Sequence, residues 1–413
     1  MPERKRDFMQ SFQPILTALR TIVIFRNVKN GPAVQKLLRL LTLCESADAG
    51  DAKLDAYADF AAALYENNAD NLTVFLRELV LSDENLYVRA VAQGLAPGVL
   101  LEECLAVELK TLGALSQVAC HDFPQRLEYD GFLPGWQIEP MDLTALYHAR
   151  LAEIPKRGYG IFAAHHVFVY EHGTLTPVKK PDPVKPANLS GYERERGEVL
   201  ANARALLSGQ PANNVLLYGD CGTGKSATVK AVANALARDG LRLIELKKKQ
   251  LHLLPDVVAA IADNPLKFIL FIDDLSFAED DDDFAALKAM LEGSVSTAAP
   301  NAAVFATSNR RHLVRESFSA REGDDIHRQD TMQELLSLSD RFGVTVTFSK
   351  PSRAVYFDIV TALAKQAGLT LSPEELALKA EQFALRRGGR SPRAAKQLIE
   401  LLQGQAASGK ERH

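Results

Sequence analysis

Hydrophobic positions along residues 10 to about 150 recur with the spacing of amphipathic helices. The stretches GPAVQKLLRLLTLCE, DAKLDAYADFAAALYEN and NLTVFLRELVL place apolar residues at i, i+3, i+4 and i+7, which brings them to one helix face. Asp70 or Asn71 is suited to cap the third helix. Further on, residues 159–170 predict a strand, and EHGTLTPV predicts a turn and a second strand. We therefore expect a mainly helical N-terminal domain with a short β-hairpin over residues 1–176.

The pattern changes after a proline-rich stretch. Four prolines fall within residues 177–186, and because proline fixes φ and donates no backbone hydrogen bond, residues 177–188 are interpreted as a linker. Beyond it, strands alternate with helical patterns, which is typical of a parallel sheet covered by helices. The predicted strands are residues 215–218, 241–246, 268–272, 303–307 and 344–348. We expect an α/β core over residues 189–350 and a helical C-terminal domain over residues 351–413.

The first predicted core strand runs into a glycine-rich segment, GDCGTGKS, which matches the phosphate-binding pattern G-x-x-x-x-G-K-[ST]. The glycines let backbone N–H groups surround phosphate oxygens, Lys225 reaches the β- and γ-phosphates, and Ser226 offers a hydroxyl to Mg²⁺. The segment predicts a nucleoside triphosphate site. Its expected binding residues are Gly219, Asp220, Cys221, Gly222, Thr223, Gly224, Lys225, Ser226 and Ala227.

A second chemical motif is KFILFIDD, an apolar strand that ends in Asp273 and Asp274. A carboxylate at this strand end can hold the ligand shell of Mg²⁺, as in other phosphate-loop enzymes. We therefore assign Mg²⁺ to Ser226 and Asp273, and Asp274 is placed to polarise an attacking water. The alternative is a strand-to-turn pair that only caps the next element.

The composition of the chain limits which partners and which cellular compartment we expect. The 413 residues contain 47% hydrophobic and 24% charged residues, which is ordinary for a globular protein of about two to three domains. A net charge of −4 does not support extensive nucleic-acid binding, although a local basic patch stays open. The four cysteines lack CxxC spacing and no run of 18 apolar residues occurs. We expect a cytoplasmic protein without disulfides, a zinc site or a membrane span.

Three further segments follow the paired aspartates along the chain: AVFATSNRRHL, LSLSDRFGVTVTFSKPS and GGRSPRAAKQLIEL. Together with the phosphate loop and FIDD, they resemble the ordered motifs of AAA+ ATPases from about residue 189 to 402. The chain also resembles a bacterial family of AAA+ proteins known only as a domain of unknown function, through NNVLLYGDCGTGKS, LKAMLEG, ATSNRRHL and SLSDRFG. The resemblance implies an α/β fold with a P-loop αβα core, a parallel sheet and a C-terminal helical lid.

The resemblance also implies ATP and Mg²⁺ as ligands, and it assigns roles by position. Asp273 holds Mg²⁺ through water, and Asp274 is the general base. Asn309 orients the attacking water, and Tyr192 lies near the adenine. Asp274 departs from the family pattern, since most AAA+ ATPases carry Glu there, and the shorter side chain changes its reach to the water.

Two arginines complete the implied site. Arg341 corresponds to the arginine that reaches a neighbouring subunit's nucleotide, and Arg393 to the lid arginine that senses the γ-phosphate. Other interpretations stay open for both, and for Asn309, which could merely cap a turn. Arg341 could instead form an ion pair with Asp340. The remaining rivals are Arg310, Arg311 and Arg321 for Arg341, and Arg390 for Arg393.

The sequence therefore predicts an ATP-hydrolysing AAA+ machine. A site shared between subunits requires a homo-oligomer with head-to-tail contacts, such as a ring, for example a hexamer. Hydrolysis would move the lid and the N-terminal domain against an unknown macromolecular client. Two alternatives are a DNA-associated ATPase similar to replication initiators and helicase loaders, and a nucleotide-gated scaffold that hydrolyses slowly.

Overall fold

The computed structural model divides the chain into two compact units, Met1–Ala164 and His165–His413. It describes residues 11–46, 49–275, 287, 291, 300–309 and 341–410. None of the helices in these ranges combines the length and the apolar character that crossing a bilayer requires.

The first unit is helical, as the apolar periodicity predicts. Phe60, Tyr57 and Phe123 pack against the single tryptophan, Trp136, in its core. The side chain of Asn71 accepts a hydrogen bond from the backbone N–H of Val74, so Asn71 caps the third predicted helix. The helices are Gln13–Arg20 (α1), Arg26–Asn30 (α2), Pro32–Cys44 (α3), Ala52–Glu66 (α4), Leu72–Ser82 (α5), Leu86–Ala92 (α6), Val99–Leu115 (α7), Pro124–Leu127 (α8), Leu143–Ala152 (α9), Ile154–Arg157 (α10) and Ile161–Ala164 (α11).

The second unit is built on a seven-stranded sheet with the order β2-β1-β4-β5-β6-β3-β7. All its pairings are parallel except β1 with β2. The five predicted core strands agree with the observed β3–β7 to within one residue at either end. The strands are Val167–Glu171 (β1), Thr174–Pro177 (β2), Val215–Gly219 (β3), Leu241–Leu246 (β4), Lys267–Ile272 (β5), Ala302–Ser308 (β6) and Val344–Phe348 (β7).

The hairpin differs from the sequence expectation in two respects. Residues 161–164 are helical, so the first strand begins at Val167 and not near residue 159. The hairpin also pairs with β4 in parallel and lies in the second unit, whereas the pattern placed it in the N-terminal domain. An isolated two-stranded hairpin is marginally stable in water. Joining the core sheet buries Phe168 and Tyr170.

Helices accompany the sheet and follow it at the C-terminus. The first three are Glu193–Leu207 (α12), Lys225–Leu236 (α13) and Leu254–Ile261 (α14). The last three pack around a core that includes Tyr356, Ala380 and Leu398 and are called the lid below. They are Arg353–Gln366 (α15), Pro373–Arg386 (α16) and Pro392–Lys410 (α17).

The order of the strands determines which side chains meet. β6 lies between β5 and β3, and all three run in the same direction. Their carboxyl ends are therefore neighbours at one edge of the sheet, where open α/β sheets bind their ligands. The glycine-rich segment follows β3, the paired aspartates follow β5, and Asn309 follows β6. Motifs far apart in the sequence thus converge at a single edge.

The proline-rich stretch is fastened to α13. The side-chain amide of Asn234 donates hydrogen bonds to the carbonyl oxygens of Asp182 and Val184, at 2.8 and 2.7 Å. Its oxygen lies 3.0 Å from Nε2 of His166, just before β1. The helix that begins at the glycine-rich segment therefore also holds the chain that leads into the core.

Candidate nucleotide-binding site

The loop between β3 and α13 has a backbone shape that depends on glycine. Gly219, Gly222 and Gly224 have φ values of +137°, +77° and +96°, in a region that residues with a Cβ rarely adopt. At Gly219, an added Cβ would lie 2.1 Å from the carbonyl oxygen of Phe348 in β7. The loop leads directly into the first turn of α13, whose free N–H groups and dipole favour an anion.

Lys225 is buried at the start of α13. Its ammonium donates hydrogen bonds to the carbonyl oxygens of Gly219 and Asp220 and to Oδ1 of Asn309, at 2.7, 2.8 and 2.9 Å. Burial lowers the pKa of the amine, and neighbouring acidic groups oppose that effect. The three acceptors are uncharged oxygens, so an anionic ligand would compensate the positive charge more strongly than they do.

Asn309 connects Lys225 to the candidate general base. Its amide nitrogen donates to Oδ1 of Asp274 at 2.7 Å, and its oxygen accepts from Lys225. The amide orientation follows from chemistry, because an ammonium only donates and an ionised carboxylate only accepts. Lys225, Asn309 and Asp274 therefore form one continuous hydrogen-bonded chain.

Ser226 and Asp273 form the second half of the site. The serine hydroxyl donates to Oδ1 of Asp273 at 2.6 Å. The same carboxylate oxygen accepts from the Thr307 hydroxyl at 2.5 Å. A hydroxyl and a carboxylate supply the hard oxygen ligands that Mg²⁺ prefers. Asp273 is solvent-exposed, so the residues present fit an Mg²⁺ ion that also contacts phosphates.

Thr307 is a site residue that the sequence analysis missed. It is buried in β6, and besides Asp273 it contacts the backbone N–H of Asp274, from which its hydroxyl accepts a hydrogen bond at 2.9 Å. A signal was available, since Thr307 lies two positions before Asn309, near the carboxyl end of β6 and so near the other candidate site residues.

Arg393, at the start of the last lid helix, contacts the phosphate loop. Its backbone N–H donates to the carbonyl oxygen of Gly222 at 3.1 Å, and its guanidinium contacts Sγ of Cys221 at 3.4 Å. Arg390 instead pairs with Glu381 within the lid, and this hydrogen bond lowers the pKa of the Glu381 carboxyl. Of the two candidate lid arginines, the structure thus brings Arg393 to the loop.

Tyr192 lies beside the loop, at the start of α12. Its ring packs against Phe348 with centroids 5.3 Å apart, and its hydroxyl donates to the carbonyl oxygen of Ser349 at 2.6 Å. Burial raises the pKa of the Tyr192 phenol to about 12. The carbonyl oxygen of Phe348 accepts from the backbone N–H of Asp220 in the loop. Phe348 therefore lies between Tyr192 and the loop and contacts both.

Arg341 does not join this group. It precedes β7, which pairs in parallel with β3 so that Val344 is opposite Val215 and Phe348 is opposite Gly219. The four steps from Val344 to Phe348 span roughly 13 Å. Arg341 therefore lies toward the opposite edge of the sheet from the phosphate loop of its own chain. Its rivals and its suggested ion-pair partner, namely Arg310, Arg311, Arg321 and Asp340, lie outside the described residues.

Comparison with known proteins gives a family and a set of similar structures. A family model described as "Protein of unknown function (DUF815)" matches residues 163–406, which is more than half of the chain. No curated protein matches the chain. Similar solved structures include the Thermotoga maritima RuvB Holliday junction branch migration motor, at 15% identity over 55% of this chain and 68% of that one, with a TM-score of 0.39. A mutant of the same protein shows 16% identity over 55% and 67%, also with a TM-score of 0.39.

Proposed function

The chain belongs to the family described as "Protein of unknown function (DUF815)", and we propose that it is an ATP-hydrolysing P-loop enzyme of the AAA+ type. One observation carries this proposal. Asn309 joins the phosphate-loop lysine, Lys225, to Asp274 at the carboxyl edge of the sheet. The cation that would bind phosphate and the carboxylate that would act as base are thus linked through one amide side chain, which contacts both.

Binding would use groups that the site already aligns. The loop N–H groups and the Lys225 ammonium would take the phosphate oxygens, and Ser226 and Asp273 would hold Mg²⁺. When bound, Mg²⁺ and ATP supply a phosphorus open to attack and a counter-charge on the leaving phosphates. Tyr192, which packs against Phe348 beside the loop, would lie near the adenine, and Arg393 contacts Gly222 in the loop. The lid would therefore respond to an occupied loop.

Hydrolysis requires a proton acceptor, and Asp274 is the candidate. In the structure, Oδ1 of Asp274 is occupied by the Asn309 amide, whose oxygen is held by Lys225. Phosphate oxygens would draw Lys225 away from Asn309. The amide would then be able to turn toward a water, and the Asp274 carboxylate would accept the proton of that water. In this account, occupation of the loop precedes activation of the base.

The position of Arg341 supports an assembly. An arginine at the far edge of the sheet cannot complete the site of its own chain, but it suits the site of a neighbour in a head-to-tail arrangement. Such contacts close into rings when the rotation between subunits permits. We propose a homo-oligomeric ring, for example a hexamer, that couples hydrolysis to the remodelling of a macromolecular client.

A slowly hydrolysing, nucleotide-gated scaffold is the second candidate. Asp274 is shorter than the glutamate usual in AAA+ ATPases, and its backbone has a φ of +53°. Both features fix where the carboxylate can reach. A base that is held by Asn309 and has a short reach favours a long-lived ATP-bound state over rapid turnover.

The first prediction separates binding from chemistry. Lys225→Ala should weaken ATP binding by roughly 10- to 100-fold, because it removes a charged hydrogen-bond donor. Asp274→Asn should bind ATP normally but hydrolyse it roughly 100-fold or more slowly, since an amide cannot accept the proton. Titration with a fluorescent ATP analogue measures binding, and the rate of phosphate release measures hydrolysis. Normal ATP binding by a folded Lys225→Ala protein would refute the proposed site.

The second prediction uses the two lid arginines as a matched pair. Arg393→Ala should weaken ATP binding about tenfold, because its guanidinium lies at the loop and a charged hydrogen bond contributes on that scale. Arg390→Ala should leave ATP binding within about twofold, since Arg390 is engaged with Glu381 inside the lid. Equilibrium titration of both variants decides between them. Equal losses, or a larger loss for Arg390→Ala, would show that the wrong arginine has been assigned.

The third prediction tests the shared site. Arg341→Ala should bind ATP nearly as well as wild type and hydrolyse it about 1,000-fold more slowly, since an arginine finger acts mainly on the transition state. Mixing it with Asp274→Asn should restore activity, because about a quarter of randomly formed interfaces would combine an intact Asp274 with an intact Arg341. Phosphate release from the mixture, measured against each variant alone, is the readout.

The control for this experiment is a dilution series of wild-type protein. Turnover per subunit should fall as the assembly dissociates, with the oligomeric state followed by light scattering. Constant turnover down to concentrations at which the protein is monomeric would rule out a site completed by a neighbour. Loss of stability in Arg341→Ala without rescue by mixing would assign the arginine to an ion pair within the chain.

A further inference from the structure

We propose that Thr307 is a positioning residue that sets both carboxylates of the site, Asp273 for Mg²⁺ and Asp274 for the attacking water. The inference rests on the proposed function. It adds a residue outside the phosphate loop, the paired aspartates and the arginines.

The Thr307 hydroxyl lies between two groups of fixed chemical character. It is 2.5 Å from Oδ1 of Asp273 and 2.9 Å from the backbone nitrogen of Asp274. A backbone N–H only donates and an ionised carboxylate only accepts. The hydroxyl must therefore accept from Asp274 and donate to Asp273. The residue is 1% exposed, so water does not readily substitute for either bond.

The bond to Asp273 fixes the direction of that carboxylate. Oδ1 of Asp273 accepts from both Ser226 and Thr307, and each bond to an ionised oxygen is stronger than a bond between neutral groups. Thr307 is therefore an outer partner of one proposed Mg²⁺ ligand, Asp273, which in turn accepts from the other, Ser226. Such partners orient the ligands and restrict their rotation.

The bonds to the backbone fix Asp274. Its φ of +53° is left-handed, which costs free energy in any residue with a Cβ and persists only where the surroundings enforce it. Thr307 contacts both sides of this residue. Its hydroxyl accepts from the N–H of Asp274, and its carbonyl oxygen accepts from the N–H of Leu275 at 2.7 Å. The left-handed turn directs the Asp274 side chain toward Asn309.

Strand register explains why the residue occurs at this position. Ile272 in β5 is paired with Ala306 in β6, so Thr307 lies beside Asp273, where β5 ends. Asn309 follows two residues later, just after β6 ends at Ser308. A short side chain that both donates and accepts is required at this point, and only Ser offers the same chemistry at smaller size. Val has the shape of Thr without the hydroxyl.

The test compares Thr307→Val with Thr307→Ser. Thr307→Val should raise the Mg²⁺ concentration for half-maximal ATP hydrolysis by about 10- to 100-fold, the usual effect of losing an outer partner of a metal ligand. The same shift should appear without turnover, in the Mg²⁺ dependence of binding of a fluorescent, non-hydrolysable ATP analogue. Binding of the analogue in EDTA should not change. Thr307→Ser should stay within about threefold of wild type.

Thr73→Val is the matched control. Thr73 is also buried, and its hydroxyl likewise donates one hydrogen bond and accepts another. It donates to the backbone carbonyl of Ser116, where Thr307 donates to a carboxylate, and it accepts from the backbone N–H of Glu139. It lies in the first unit. The variant should lower the melting temperature through the loss of comparable bonds, yet leave the Mg²⁺ dependence unchanged. A purely structural role for Thr307 predicts the same behaviour in Thr307→Val.

The outcomes are distinct. An unchanged Mg²⁺ requirement in a folded Thr307→Val protein would overturn the inference, while wild-type hydrolysis would still uphold the proposed function. If Thr307→Val does not fold, Thr307→Ala replaces it: a Mg²⁺ requirement raised at least about tenfold would uphold the role, and an unchanged requirement would overturn it. A wild-type protein that binds no ATP at all would overturn the proposed function instead.

Discussion

The site depends on the hydrogen bonds that the buried ammonium of Lys225 makes. A charge removed from water needs close oxygen acceptors, and here they are two loop carbonyls and the amide of Asn309. Because one charged group takes acceptors from both segments, its hydrogen bonds connect the loop after β3 to the end of β6. These acceptors are dipoles and not anions, so burial still lowers the pKa of the amine. A phosphate would meet the same need with a full negative charge.

The sheet makes this convergence possible. With β6 inserted between β3 and β5, Thr307 near its carboxyl end contacts the paired aspartates, and Asn309 just beyond that end contacts both Lys225 and Asp274. The proposed phosphate-binding lysine and the proposed base are consequently linked through a single strand end. The lid contacts the loop through Arg393, so in the proposed mechanism a bound nucleotide would be sensed both at Asp274 and at the lid helices.

Much of this arrangement was accessible from the sequence, because the strongest patterns are local. The phosphate loop needs glycine at fixed positions, and fully apolar runs predict buried parallel strands. The location of the hairpin was not accessible, since a short apolar run does not reveal which sheet it joins. Thr307 was missed because its role depends on the register between β5 and β6. The choice between the two lid arginines also depends on tertiary structure. The sequence favours Arg393 and leaves Arg390 open, and only the packing of the lid against the loop distinguishes them.

The central claim is that Lys225 exchanges neutral oxygens for phosphate, and a crystal structure with Mg²⁺ and a non-hydrolysable ATP analogue tests it most directly. We expect the Lys225 ammonium to leave Oδ1 of Asn309 and contact phosphate oxygens, with Mg²⁺ between the triphosphate and the pair formed by Ser226 and Asp273. The Asn309 amide should turn away from Lys225. An analogue bound elsewhere, or bound in the loop with Lys225 still on Gly219, Asp220 and Asn309, would contradict the account.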